Sequence, residues 1–341
     1  MQMLRSIWAG PVQIKRIICA FVLVIGSAGF LGARAVNSNE AIEAGLRAYT
    51  TGDYVKAVQI LQAASKAEPN NAEIHLLLAK SFYEMEERDR AVSSAERAVA
   101  LDPNSSLYHE WLGRTYGEKA NHSGWFSALS LAKKARKEFA TAVELNEQNF
   151  SAMQALIEFD CSAPGIAGGG EDKAAKEIEK IASLDKAEGH YARGNCRRQK
   201  KDFDVTDAEF AKALESNPKS VDLVYDIGDY AMKRDQADRL LAVVQAGQKL
   251  DPKDPRGPFY FAAAQILRGE KLAEAEKTVH EYLAKAPKRN GYPSPGMAHY
   301  WLGRLAETQK SREKAISEYE TALKLEPKNR YAVEALKRVK K

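Results

Sequence analysis

Cysteine is scarce: Cys19, Cys161 and Cys196 are the three in 341 residues, and no two form a C-x-x-C pair. That excludes a zinc ribbon and a thioredoxin-like redox motif. Histidine numbers six. His109-Glu110 and His280-Glu281 begin like a zinc-protease string, but neither is followed by the second histidine that the metal needs one turn on. There is no Gly-x-Ser-x-Gly elbow for acyl transfer, and no glycine-rich stretch ends in the Gly-Lys-Ser/Thr that cradles phosphate. Alternating apolar and polar runs are also missing between residues 40 and 336, so no sheet is expected. Neither catalysis, a metal nor a cofactor is expected from such a chain.

Residues 1–35 stand apart. Lys15 and Arg16 precede an uncharged apolar stretch, Ile17 to Gly32, and Ala33-Arg34-Ala35 follows with the small-x-small pattern of a signal-peptidase site. The stretch is slightly short for a span of roughly 20 residues. Residues 1–35 are therefore expected to be a signal peptide cleaved before Val36, or alternatively an uncleaved inner-membrane anchor. Both place residues 36–341 outside the cytoplasm, in the periplasm of a bacterial cell. Membrane contact is expected only through an uncleaved segment. This region holds Arg5, Lys15, Arg16 and Arg34 and no acid, so the net charge of +5 falls to about +1 without it. Nucleic-acid binding thereby loses its electrostatic support.

The rest of the chain is ordered by proline. The interval from Pro69 to Pro103 recurs from Pro218 to Pro252, and Pro287 and Pro327 follow. Each of these prolines is preceded, at one constant offset, by a glycine or alanine: Gly45, Ala79, Gly194, Gly228, Ala263 and Gly303. Ala57, Ala91, Ala275 and Ala315 lie halfway along that offset before four of them. A period of 34 marks a helix-turn-helix array. Eight units follow, at about 38–71, 72–105, 106–149, 150–186, 187–220, 221–254, 256–289 and 296–330, with a capping helix over 331–341. The third takes an insertion of about ten residues that includes Trp125, Phe126, Leu129 and Leu131, and the fourth is split by Ala163-Pro164-Gly165-Ile166-Ala167-Gly168-Gly169-Gly170.

Trp111-Leu112-Gly113 with Tyr116, and Leu302-Gly303 with Ala315, Tyr319, Ala322 and Pro327, carry the pattern of the tetratricopeptide repeat. The chain resembles that family over about 300 residues. The glycine-rich loop and the preceding Leu-Ala-Lys-Lys-Ala-Arg segment are similar to those of exported bacterial members. The resemblance implies an all-α, right-handed superhelical solenoid whose first helices line a concave groove, and a role as a scaffold or adaptor for protein or peptide partners, in envelope complex assembly. An accessory subunit that presents substrate to a separate envelope enzyme or secretion machine is the alternative. The sixth repeat departs, with Leu240 and Gly247 where alanines are expected.

Carrying over the family's groove positions gives Tyr191, Tyr225, Tyr260 and Tyr300 at the fifth place of the last four repeats, and Tyr49 and Tyr83 at the twelfth place of the first two. They form either a recognition ladder, since tyrosine joins apolar area to a polar tip, or packing between neighbouring helices. Their polar companions are Lys80, Glu110, Arg114, Gln154, Glu158, Asn195, Arg198, Asp229 and Arg304. A groove of both signs suits a protein segment over a polyanion. The lysine-asparagine clamp for C-terminal carboxylates is not reproduced, since Leu76 precedes Lys80 and Tyr191 precedes Asn195. Cys161 and Cys196 are either a disulfide or two separate buried thiols. His75, His109, His190 and His299, at the fourth place of their repeats, read as buried ring fillers. The third-repeat insertion is either a longer second helix packed on its own repeat or an apolar protrusion.

Overall fold

A computed structural model describes residues 38–287 and 290–341; the expected signal segment and Cys19 lie outside the described residues. Those residues form seventeen α-helices, a short 3-10 turn and no strand. Sixteen helices pair into eight hairpins: α1 (Ser38–Thr50) with α2 (Tyr54–Ala67), α3 (Ala72–Glu84) with α4 (Arg88–Leu101), α5 (Ser106–Asn121) with α6 (Trp125–Leu145), and α7 (Phe150–Ser162) with α8 (Glu171–Leu184). The series continues with α9 (Lys186–Gln199) and α10 (Phe203–Glu215), α11 (Val221–Lys233) and α12 (Ala237–Leu250), α13 (Arg256–Arg268) and α14 (Leu272–Lys285), and α15 (Pro295–Thr308) and α16 (Arg312–Leu325). A last helix, α17 (Arg330–Lys340), buries Ala332 and Ala335 against α16. The fold is an all-α superhelical array.

Local chemistry sets the boundaries. Asp53, Asn71, Asn149, Asp185, Ser220, Ser294 and Asn329 each cap a helix by accepting a backbone N–H two or three residues on. Each spaced proline follows the end of a second helix, as Pro69 does α2 and Pro327 does α16, because its ring and missing N–H cannot continue the helical ladder. The turns between the two helices of six hairpins hold a left-handed residue: Gly52, Glu86, Lys201, Asp235, Gly269 and Lys310, with Lys271 a second one beside Gly269. Only Gly52 and Gly269 are glycine.

Six hairpins close on a matched pair. A Cβ added to Gly45 would stand 2.7 Å from the Leu61 side chain, one on Gly113 2.7 Å from the Phe139 ring, and one on Gly194 2.5 Å from the Phe210 ring. Gly303 faces Tyr319 in the same way. Where alanine replaces the glycine, at Ala79 and Ala263, the corresponding place on the second helix holds the smaller Ala95 or Val279. Close packing forbids a large side chain on both helices. In the sixth hairpin Gly247 accommodates the hydroxyl of Tyr225, and Leu240 is fully buried, which accounts for that repeat's departure.

The histidines are more than fillers. His109, His190 and His299 on first helices meet Glu138, Glu209 and Glu318 on the paired second helices at 2.6, 2.8 and 2.7 Å. His75 lacks such a glutamate, and its Nε2 meets the Pro69 carbonyl at 3.0 Å.

The third and fourth hairpins are coupled. Asp160, fully buried, takes two bonds from the Arg136 guanidinium, and its carbonyl accepts the Gly170 N–H at 2.9 Å. The glycine-rich loop makes a 3-10 turn over Gly165–Ala167 and then a left-handed step at Gly168, φ +100°. Cys161 of α7 and Cys196 of α9 are disulfide-bonded, with Cα atoms 5.5 Å apart. Far along the chain, the Asn290 N–H donates to Glu84 at 3.2 Å. The array's curvature thus brings the second hairpin within reach of the loop before the last.

Candidate partner-binding groove

The residues assigned to the groove sit on first helices, but they divide into two groups. Tyr225, Tyr260 and Tyr300 are buried. Tyr225 and Tyr260 stack 5.5 Å apart, Tyr191 stacks on Phe210 at 5.8 Å, and Tyr300 packs among Trp301, Tyr319 and Tyr331. Of the two alternatives, burial favours packing for Tyr225, Tyr260 and Tyr300, while Tyr191 stays half-buried. Tyr49 and Tyr83 are half-buried, against Tyr54 and Trp111.

The polar members link neighbouring first helices. Glu110, buried on α5, accepts from Arg114 Nε at 3.0 Å, from Ser151 Oγ at 2.7 Å and from Asn149 Nδ2 at 3.1 Å. Gln154 donates to the Glu188 carboxylate at 2.8 Å, Tyr191 Oη to Asp226 at 2.7 Å, and Tyr260 Oη to Asp229 at 2.6 Å. Arg198 also reaches Asp226, at 3.4 Å. Arg304 donates to Tyr300 Oη at 2.9 Å and, in two bonds, to Asp235. Asp226 and Glu188 escaped the sequence reading, although Asp226 lies one repeat and one place beyond Tyr191.

The ninth places of consecutive first helices form a charge series. Lys80, Arg114, Glu158, Asn195, Asp229, Ala264 and Arg304 run from α3 to α15, basic at both ends and acidic between. Lys80 lies over the Trp111 ring at 4.9 Å, and burial lowers its pKa. Glu158 is exposed to solvent; partial desolvation raises its carboxyl above the usual range, opposed by Arg198. Burial likewise raises Asp229 and Glu188. Asn195 is 7% exposed and its Oδ1 has no hydrogen-bond partner. The middle of this row is therefore rich in acceptors and short of donors.

Against this geometry the comparisons with known proteins are direct. A family model for the tetratricopeptide repeat matches residues 48–114, and a second matches residues 296–329. Over these two stretches the chain carries tetratricopeptide repeats. Among curated proteins, Cellulose synthase operon protein C of Escherichia coli K12 is 37% identical over 67 residues, 20% of this chain and 6% of that protein. Rhomboid protease GluP of Bacillus subtilis is 30% identical over 109 residues, 31% of this chain and 22% of that protein. The chain therefore spans under a quarter of these relatives. Among solved structures, a thermophilic tetratricopeptide protein of Thermus thermophilus aligns with TM-score 0.46 and 20% identity over 60% of this chain and 99% of that one. One from Parabacteroides merdae aligns with TM-score 0.43 and 14% identity over 89% and 99%. Tetratricopeptide arrays serve as scaffolds for protein partners. Among the described residues no group of three metal-ligating side chains occurs, and no helix is long and apolar enough to cross a membrane.

Proposed function

We propose that the array is an adaptor that holds an extended protein segment along its first helices, with a basic side chain over Glu158 and Asp229 and acidic ones towards Lys80, Arg114 and Arg304. The observation that carries this reading is the ninth-place row, whose exposed carboxylate Glu158 has no ion-pair or hydrogen-bond partner among the described residues. A bound ammonium or guanidinium would pair with it through a charge-assisted hydrogen bond. The hydrogen-bonded links between hairpins hold the row before binding, which lowers the entropy lost on association. Envelope assembly outside the cytoplasm is part of the proposal: residues 1–35 have the make-up of an export segment, and the Cys161–Cys196 bond suits an oxidising compartment.

A photoreactive side chain at position 158, with position 248 on α12 as control, tests the reading. Capture of one partner at 158 alone, weakened about tenfold or more by Asp229→Asn, is the expected result. Equal capture at both positions would exclude the groove. N-terminal sequencing of the secreted form should find Val36 first. If an enzyme co-purifies and its activity falls without the array, the reading becomes that of a substrate-presenting subunit.

A further inference from the structure

The third hairpin outgrows its neighbours. Its helices have 16 and 21 residues, against 13 or 14 in every other hairpin. In α4 the fourth residue, Ala91, is already buried, whereas the first buried residue of α6 is Ala135. None of Trp125 to Lys134 is buried, but Leu131 is half-buried against the core, so the free part of α6 is about its first turn and a half. At the tip Trp125 is 60% exposed and Phe126 86%.

The charge of this segment is one-sided. From Trp125 to Lys137 there is no acid: Trp, Phe and two leucines occupy the first two turns, then Lys133, Lys134, Arg136 and Lys137 follow. Arg136 is committed to Asp160, and Lys134 lies over the Tyr116 ring at 5.2 Å. Lys133 and Lys137 are exposed and have no ion pair among the described residues. Phe126, Ser130, Lys133 and Lys137 follow at steps of four, three and four, which places them on one helical face. The acids beside the tip are ion-paired, Glu86 and Glu118 sharing Arg88, Glu87 with Arg90, and Asp89 with Lys119, which leaves one negative charge in excess there.

We infer that this tip docks on an anionic bilayer surface. An aromatic end above a basic collar matches the depth profile of a membrane interface: rings settle at the headgroup level while lysine stems reach back to phosphates. A protein pocket would also take Trp125 and Phe126, but it would not call for a collar with no acid in it. The contact is independent of the groove and leaves it open.

The experiment uses full-length protein carrying Trp8→Phe, with phosphatidylcholine vesicles containing about one-third phosphatidylglycerol and brominated acyl chains. Tryptophan emission should shift to the blue and be quenched, and Trp125→Phe should remove that change even though the N-terminal segment is retained. Lys133→Ala with Lys137→Ala should weaken partitioning about thirtyfold. Circular dichroism should be unchanged, since the substituted side chains on α6 are exposed. Equal quenching in the Trp125→Phe protein, or a Trp125-dependent shift of equal size on pure phosphatidylcholine, would overturn the proposal. So would a benzophenone at position 126 that captures a protein while vesicles leave the emission unaltered.

Discussion

Arg136 grips Asp160 through two parallel bonds, Nε to Oδ1 at 2.7 Å and Nη2 to Oδ2 at 2.8 Å. The pair joins α6 to α7, and the same aspartate anchors the glycine-rich loop through its carbonyl. Arg136→Met would leave a fully buried carboxylate unpaired, at a cost of about 3–5 kcal/mol. Adding Asp160→Leu should recover most of that loss. Urea denaturation of the single and double variants measures both.

Reduction tests a second tie between the same hairpin and the next. The Cys161–Cys196 bond closes a loop with a sequence separation of 35, for which chain entropy gives about 3–4 kcal/mol. Reductant should lower the melting temperature of the parent and leave a Cys161→Ser, Cys196→Ser protein unmoved. If both respond alike, the bond does not form in solution.

Gly303 gives a steric prediction. Gly303→Ala drives a methyl into the Tyr319 ring and should cost about 1–3 kcal/mol. Combining it with Tyr319→Val reproduces the Ala263 and Val279 arrangement of the seventh hairpin. Stability should then rise above that of Gly303→Ala alone, as read from the melting temperature.

The pH response follows from Glu188. Burial raises its carboxyl, so the folded chain binds more protons than the unfolded one between the ordinary and the raised values. Stability therefore falls as pH rises through that interval. Glu188→Gln removes the slope: its melting temperature relative to the parent should be higher near neutral pH than near about pH 4. An unchanged difference would mean that Glu188 titrates as it does in the unfolded chain.

Much of the fold was legible because hairpin closure is local. The proline period, the glycine or alanine at a fixed distance before each proline, and the capping final helix all follow from spacing. So does the constant step from histidine to glutamate at His190 and His299, although only the structure drew attention to it. The facing of the tyrosines was not legible. Whether a fifth-place ring looks into a groove or into its neighbour depends on the tilt between hairpins, and periodicity gives register without tilt. The left-handed turns were hidden too, since Glu86, Lys201, Asp235 and Lys310 occupy a conformation that spacing rules assign to glycine.

The matched pairs inside the hairpins also constrain how such a chain can change over time. Glycine with a large partner and alanine with a small one are two separate solutions. A lone change of the first residue produces a collision, and a lone change of the second leaves a void. Passage by a single substitution needs a neighbour to fill the space, as Tyr260 does beside Gly228, which faces only a valine on its second helix. Duplication of a whole hairpin carries the pair intact and avoids that barrier, so the array lengthens more readily than it repacks.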